Sequence, residues 1–99
     1  MFFIIHAKDY KDDNALERRM AVREAHMKGM TNLKKQGILH MACAHLNDKG
    51  DMCGSTLILE LDHVSEVHAL LEKETYIINK VWEKIEISPC LIPPMFFEK

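Results

Sequence analysis

The sequence predicts an α+β fold. Three observations lead there: four short runs of β-favouring residues, two stretches with helical spacing, and the order in which they alternate.

The first run, "FFIIHA" (2–7), is apolar and ended by charge, so it reads as a strand. "KDYKDDN" (8–14) is a loop rich in Asp and Asn. Asn14 with Glu17 three residues later has the spacing of a capping box, with Asn in place of Ser or Thr. From Ala15 to about Gln36 only Gly29 weakens a helix, and Gly37 stops it. "ILHMACAH" (38–45) and "MCGSTLILEL" (52–61) are strands two and three. The turn chemistry of "LNDKGD" (46–51) joins them as an antiparallel hairpin. "DHVSEVHALLEKE" (62–74) places Val64, Val67, Leu70 and Leu71 at helical spacing. "TYIINKVWEKIEIS" (75–88) starts ambiguously. It ends as a strand in which Val81, Glu83, Ile85 and Ile87 alternate with Trp82, Lys84, Glu86 and Ser88. "PCLIPPMFFEK" (89–99) holds three prolines, which confine it to an edge or a tail.

The order is β-α-β-β-α-β, the ferredoxin-like pattern, with helices on one face of an antiparallel sheet. The other sheet face stays apolar and needs a cover. No repeat, low-complexity segment or linker divides the chain, so residues 1–99 form a single domain. A core this small makes pairing with a second copy a natural way to bury more surface.

Composition narrows the function classes. The chain is 47% apolar and 28% charged, which excludes a membrane-embedded or disordered protein. Its net charge of −2 gives no electrostatic case for nucleic acid or anionic membrane as a partner. Cys43, Cys53 and Cys90 are odd in number and irregularly spaced, which points to a reducing compartment. The opening apolar run is too short for a signal peptide and lacks a basic flank, so a cytoplasmic location is expected.

The helix from Ala15 carries the sharpest signal. On a helical wheel Leu16, Met20, Met27 and Met30 share one side, and Arg19, Arg23 and His26 fall inside that apolar arc. A buried charge needs a partner or costs several kcal/mol, by general estimates of about that size. Two placements satisfy Arg23 and His26. At the helix edge, Arg snorkels and His bonds a carbonyl. In a cleft between helix and sheet, His serves as acid or base and Arg holds an anion.

Other residues are weaker candidates. Ser55 follows Gly54 on the third strand and shares a face with Leu57, Leu59 and Leu61. It is either a plain strand start or part of the cleft. Tyr76 either packs at the sheet edge or offers a hydroxyl to a ligand. His40 and His45 are five apart on a strand and point to opposite faces. His63 and His68 are five apart near a helix, and neither CxxC nor HxxxH occurs, so no metal is expected. The chain has no glycine-rich phosphate loop or dinucleotide fingerprint, so no cofactor is expected. Cys43 and Cys53 are placed to face one another across the hairpin, as free thiols.

Taken together, "FFIIHAKD", "LERRMAVREAHM" with its R-x-x-H, "GSTLILEL" and "ETYIINKVWEKIEISP" resemble the YciI-like (YCII-related) family of small dimeric α+β barrel proteins. The likeness runs nearly end to end. It implies a ferredoxin-like subunit whose sheet face pairs across a homodimer. It also implies a site around the helix histidine, His26, with Arg23 and a nearby carboxylate. The family's Asp-Pro-Tyr aligns with Glu74-Thr75-Tyr76, so Glu stands for Asp and Thr for Pro. The family's Gly-Pro after the second strand is replaced by "ACA" (42–44), with a shorter loop after it.

Relatives on this fold look like muconolactone isomerases and dehydrochlorinases of ring-hydroxylated aromatics. The resemblance therefore implies a cofactor-independent lyase or isomerase. Its His26–Glu74 pair would move a proton on a small acidic or aromatic compound, with Arg23, Ser55 and Tyr76 binding it. Fold alone does not fix function. The alternative is a non-catalytic small-molecule-binding or accessory dimeric module.

Overall fold

The structure, a computed structural model, describes residues 1–97; Glu98 and Lys99, the end of the expected tail, lie outside the described residues. Strand β1 (Phe2–Asp9) leads to helices α1 (Ala15–Ala21) and α2 (Arg23–Lys35), then to the hairpin of β2 (Leu39–Leu46) and β3 (Met52–Glu60). Helix α3 (Val64–Glu72) and the single turn α4 (Thr75–Ile78) precede β4 (Trp82–Cys90), and a short 3-10 turn spans Pro94–Phe96. All pairings are antiparallel and the sheet order is β2-β3-β1-β4, the ferredoxin-like arrangement.

Period-two alternation sets the inner face. Phe3, Ile5 and Ala7 of β1 lie against Leu57 and Leu59 of β3, and Met30, Val67, Leu71 and Tyr76 close over them from the helices. Each Phe, Ile, Leu, Val or Met side chain removed from water here stabilises the fold by about 1.5–3 kcal/mol.

Several expectations need correction. Strand β1 runs to Asp9, two residues into the expected loop, and Asp9 points inward and is buried. The expected single helix breaks at Val22 (φ −114°, ψ 9°) and passes Gly29 without a break. The Asn14 side chain makes no cap bond to α1. The carboxylate reaching back from N3 occurs at α3 instead, where Glu66 accepts from the His63 backbone N–H at 3.0 Å.

Three register shifts interrupt the ladders; one, between His45↔Gly54 and Leu46↔Met52, leaves Cys53 unpaired near the hairpin end, and the other two change which side chains share a face. In β2 the register steps from Leu39↔Leu59 to Met41↔Ile58, so His40 is an extra residue. His40 and His45 therefore both lie on the outer face: His40 bonds Glu60 at 2.8 Å and His45 bonds Thr56 at 2.6 Å. In β4 the register steps from Lys8↔Lys84 to Asp9↔Trp82, leaving Glu83 unpaired in the ladder. Trp82 thus joins Ile85 and Ile87 on the inner side, where strict alternation would have turned it out. Cys43 stands opposite Thr56, so it does not face Cys53, and all three thiols are free.

The ambiguous stretch after residue 74 resolves into α4 and a reversal at Lys80, whose φ of +55° is left-handed. That reversal presents the Lys80 carbonyl to Arg18, which donates from Nε at 3.2 Å and Nη2 at 3.0 Å. The N-terminal turn of α1 is thereby tied to the start of β4.

Candidate functional site

A polar cluster is built into the inner face at one end of the sheet. Asp9 is the last inward residue of β1, and Arg19 comes down on it from α1. Nη1 of Arg19 lies 2.9 Å from both Asp9 carboxylate oxygens. Its Nη2 donates to Ser55 Oγ at 2.9 Å, and Trp82 Nε1 donates to the same oxygen at 3.1 Å. Three strands and a helix thus converge on Ser55, and the bulge at Glu83 is what brings the indole there. Burial pushes the Asp9 carboxyl up from its ordinary range, and the Arg19 charge and hydrogen bonds only partly oppose this.

The second part of the site is the histidine. His26 on α2 is 6% exposed, so the sequence placed it correctly in the apolar arc. Its Nδ1 pairs with Glu74 Oε1, just before α4. The same oxygen accepts from the Tyr76 backbone N–H at 3.3 Å, which fixes the carboxylate as the cap of α4. A carboxylate oxygen is an acceptor, so in this pairing Nδ1 is the donor. Nε2 has no hydrogen-bond partner among the described residues.

Aromatic packing locks the ring. Tyr76 stacks on His26 with centroids 3.8 Å apart and planes within 10°. Trp82 meets both rings edge-on, at 5.9 and 5.6 Å. The Arg19 guanidinium lies 4.8 Å from the Tyr76 ring centre, a cation–π contact. Burial raises the Tyr76 phenol above its ordinary value, so it stays neutral at physiological pH.

Between α1–α2 and the β2–β3 hairpin opens a cleft of about 130 Å³, lined among others by Arg19, Arg23, His26, Met30, Ser55 and Tyr76. Four of the five expected residues line it. The fifth, Glu74, sits behind His26 and touches the ring. Arg23 is half-buried at the rim and makes no hydrogen bond among the described residues. Sequence reasoning missed Asp9 and the inward turn of Trp82. Alternation from Phe3 through Ala7 reaches Asp9, so continuing β1 by two residues finds it. No sequence signal marks the bulge that turns Trp82 inward.

Larger cavities lie elsewhere, among them one of about 330 Å³ between α2 and β2, beside Met27, Lys34 and Met41, and two that are larger still. One of about 520 Å³ sits between the β1–α1 loop and the hairpin end, beside Asp9, His45 and Cys53. The other, about 480 Å³, is apolar and lies on the outer face against the C-terminal segment. Size alone does not point to the histidine; the paired, oriented side chains do. Among the described residues no group of three or more His, Cys, Asp or Glu side chains is arranged to hold a metal ion. No helix among them is long and apolar enough to cross a membrane.

Residues 1–91 match the sequence profile of the YCII-related domain. The protein YciI of Escherichia coli O6:H1 is 30% identical over 95 residues, covering 90% of this chain and 95% of the relative. The YciI protein of Shigella flexneri matches to the same extent. Among solved structures, the 5-chloro-2-hydroxyhydroquinone dehydrochlorinase of Burkholderia phenoliruptrix AC1100, in complex with 2,5-dihydroxybenzoquinone, superposes with a TM-score of 0.81. It is 24% identical over 96% of this chain and 98% of that one. A NIPSNAP domain protein of Burkholderia xenovorans reaches a TM-score of 0.50 at 14% identity, over 95% and 99% of the two chains.

Proposed function

This chain belongs to the YCII-related domain family, and we propose that it is a small cofactor-independent enzyme that moves a proton on a ring compound, as a lyase or isomerase. One observation carries the reading: a buried histidine is tied at Nδ1 to a carboxylate and lines a cleft with Nε2 unpartnered among the described residues. A group meant only to fill the core has no need of a carboxylate that fixes its tautomer and leaves its basic nitrogen unused.

His26 takes a proton from carbon or oxygen of the ligand through Nε2 and returns it after the double bonds have shifted or a leaving group has departed. Glu74 holds the imidazole in position and offsets the charge that the ring acquires. Tyr76 and Trp82 keep the ring plane fixed. Arg23, at the rim, orients an acidic substituent. The likeness to the dehydrochlorinase supports a ring-hydroxylated aromatic or quinone as the substrate class. Two subunits join through the outer sheet face.

The test follows the His26 ring by NMR in the purified protein, with small aromatic and dicarboxylic acids and 2,5-dihydroxybenzoquinone added in turn. Deuterium uptake from D₂O into each compound is measured alongside. Ring resonances that shift saturably with one compound, and uptake that is lost in His26→Gln, support the enzyme. Saturable binding with no uptake in either protein favours a binding module. A ring indifferent to every compound ends the reading.

A further inference from the structure

Helix α2 and the edge strand β2 do not close on one another everywhere. Ala42 pairs with Leu57 across the β2–β3 ladder, and Leu57 lies in the core. Residues directly opposite share a face, so Ala42 also points inward. It is nevertheless exposed. On the helix side of the same gap Met27 is 45% exposed. Protein interiors are packed to the density of organic crystals, so apolar groups left open on both walls of one gap mark a place kept for something else.

The gap is a groove of about 330 Å³, and it continues the His26 cleft. Met27, Met30 and Ala42 line both. The cleft alone, about 130 Å³, is smaller than ordinary ligand pockets, which span about 300–1,000 Å³. The groove lengthens it along the helix. His26, Met30 and Lys34 follow one another at steps of one helical turn, so Lys34 stands about 12 Å beyond His26 along the axis. Between them the walls are mainly Met27, Met30, Leu39 and Ala42, and methionine adapts to varied shapes. Lys34 lines the far end and makes no ion pair among the described residues. Its side chain leans toward the N-terminus of α2, back over the groove. Apolar walls that end at a cation suit an apolar chain that ends in an anion.

We propose that this groove is the second half of the ligand site. It takes an apolar chain attached to the ring on which His26 acts, and Lys34 pairs with a carboxylate at the end of that chain. The substrate class is therefore an aromatic ring that bears an acidic aliphatic side chain of several carbons. This rests on the His26 reading above and adds what selects the substrate. Arg23 precedes His26 by one turn and Lys34 follows it by two, so the two cations serve acids at opposite ends of the ligand.

The experiment titrates the full chain with para-hydroxyphenylalkanoates, from the acetate to the octanoate, and with their primary amides. NMR follows the His26 ring and the Met27 and Met30 methyl groups. The ring and both methyl groups are expected to shift saturably over the same ligand concentrations. Affinity should rise by about two- to fourfold for each added methylene until the chain spans the groove. Lys34→Met, a change at an exposed position, should weaken the longer acids by about two- to fivefold and leave their amides unchanged. If the ring shifts while affinity ignores chain length and the methyl groups stay still, the groove assignment falls and the proposed acid–base function stands. The assignment falls as well if long chains move the methyl groups without the ring, which would make the groove a separate site. Acids and amides that bind alike in both proteins overturn it through its acidic end. Methyl groups that move only with protein concentration give the groove to a second copy and overturn it too. If ring and methyl groups ignore every compound, both readings fall.

Discussion

Asp9 and Arg19 form an ion pair at 2.9 Å with side chains only 4% and 3% exposed, Asp9 lining the cavity of about 520 Å³ and Arg19 the small cleft. Such a pair stabilises a fold weakly as a unit, because desolvation offsets most of the attraction. Breaking it is another matter. Asp9→Ala strands the guanidinium in the core and is expected to lower unfolding free energy by about 3–5 kcal/mol. The double change Asp9→Ala with Arg19→Met removes both charges and is expected to recover most of that loss. Urea denaturation of the two proteins checks this. Equal losses in both would mean that packing, and not the stranded charge, sets the cost.

Glu74 separates the roles of shape and charge. Glu74→Gln keeps an oxygen that caps α4 through the Tyr76 N–H and another polar contact to His26. It removes the negative charge that balances a protonated imidazole. Circular dichroism and thermal unfolding should change little, while deuterium uptake into the bound compound should fall by about 100-fold or more, the usual scale of general acid–base assistance. An unchanged rate would show that the carboxylate only orients the ring.

On the opposite sheet face His45 depends on Gly54. An added Cβ at Gly54 would lie 2.6 Å from both Ala7 O and His45 Nδ1, so the imidazole occupies space that only glycine leaves open. It reaches His6 at a centroid distance of 4.7 Å. Burial lowers the His45 pKa first, and His6, Arg19 and Lys8 lower it further, against Asp9, which raises it. A base with a depressed pKa binds protons less readily folded than unfolded. Its contribution is therefore present above the ordinary value of 6.5 and is lost as pH falls from there through the depressed folded value. Stability should fall with pH across that window, and His45→Gln should flatten the fall. Gly54→Ala should cost about 1–3 kcal/mol at neutral pH, because backbone stands in the way. A wild-type profile that is flat below pH 6.5 would contradict the placement of the ring.

Much of this was legible in the residues. The helix-period arc from Leu16 to Met30 carried Arg19 and His26 to the buried side, and both are buried. Met20 and Met27 of the same arc are exposed, because the helix breaks at Val22 and the two halves do not share one face. Alternation put Ser55 on the same face as Leu57 and Leu59. What stayed hidden depends on register. One extra residue at His40 and one at Glu83 each reverse a face, and a bulge is set by pairing between strands distant in sequence. The break at Val22 has no proline or glycine to announce it. Asp9 was hidden by its neighbours, since "KDYKDDN" has the composition of a loop and tertiary pairing with Arg19 overrides that local preference.

The outer sheet face makes a prediction about assembly. Phe2, Ile4 and Ile58 lie there half-buried, and Met41 is 47% exposed. The C-terminal segment folds back over one end, with Phe97 stacked on Phe2 at 5.5 Å. It leaves apolar side chains of its own in the open, with Leu91 88% and Phe96 71% exposed. The rest of the face carries His6, His45, Thr56 and Glu86, so the expected apolar face is confined to one end, around the groove lined by Met41, Ile58, Leu91 and Phe96. An exposed apolar cluster of this kind is unusual on a monomer. A second copy with the same face would cover it, and isologous pairing requires no other surface. The helices lie on the inner side, so a charge at Ile58 would leave the core and the His26 cleft intact. Ile58→Lys is therefore expected to convert a dimer into a monomer in analytical ultracentrifugation, with the helical circular dichroism signal unchanged and the His26 ring resonance in place. A wild-type protein that sediments as a monomer would remove the case for this interface. A variant that stays dimeric would move it elsewhere on the surface.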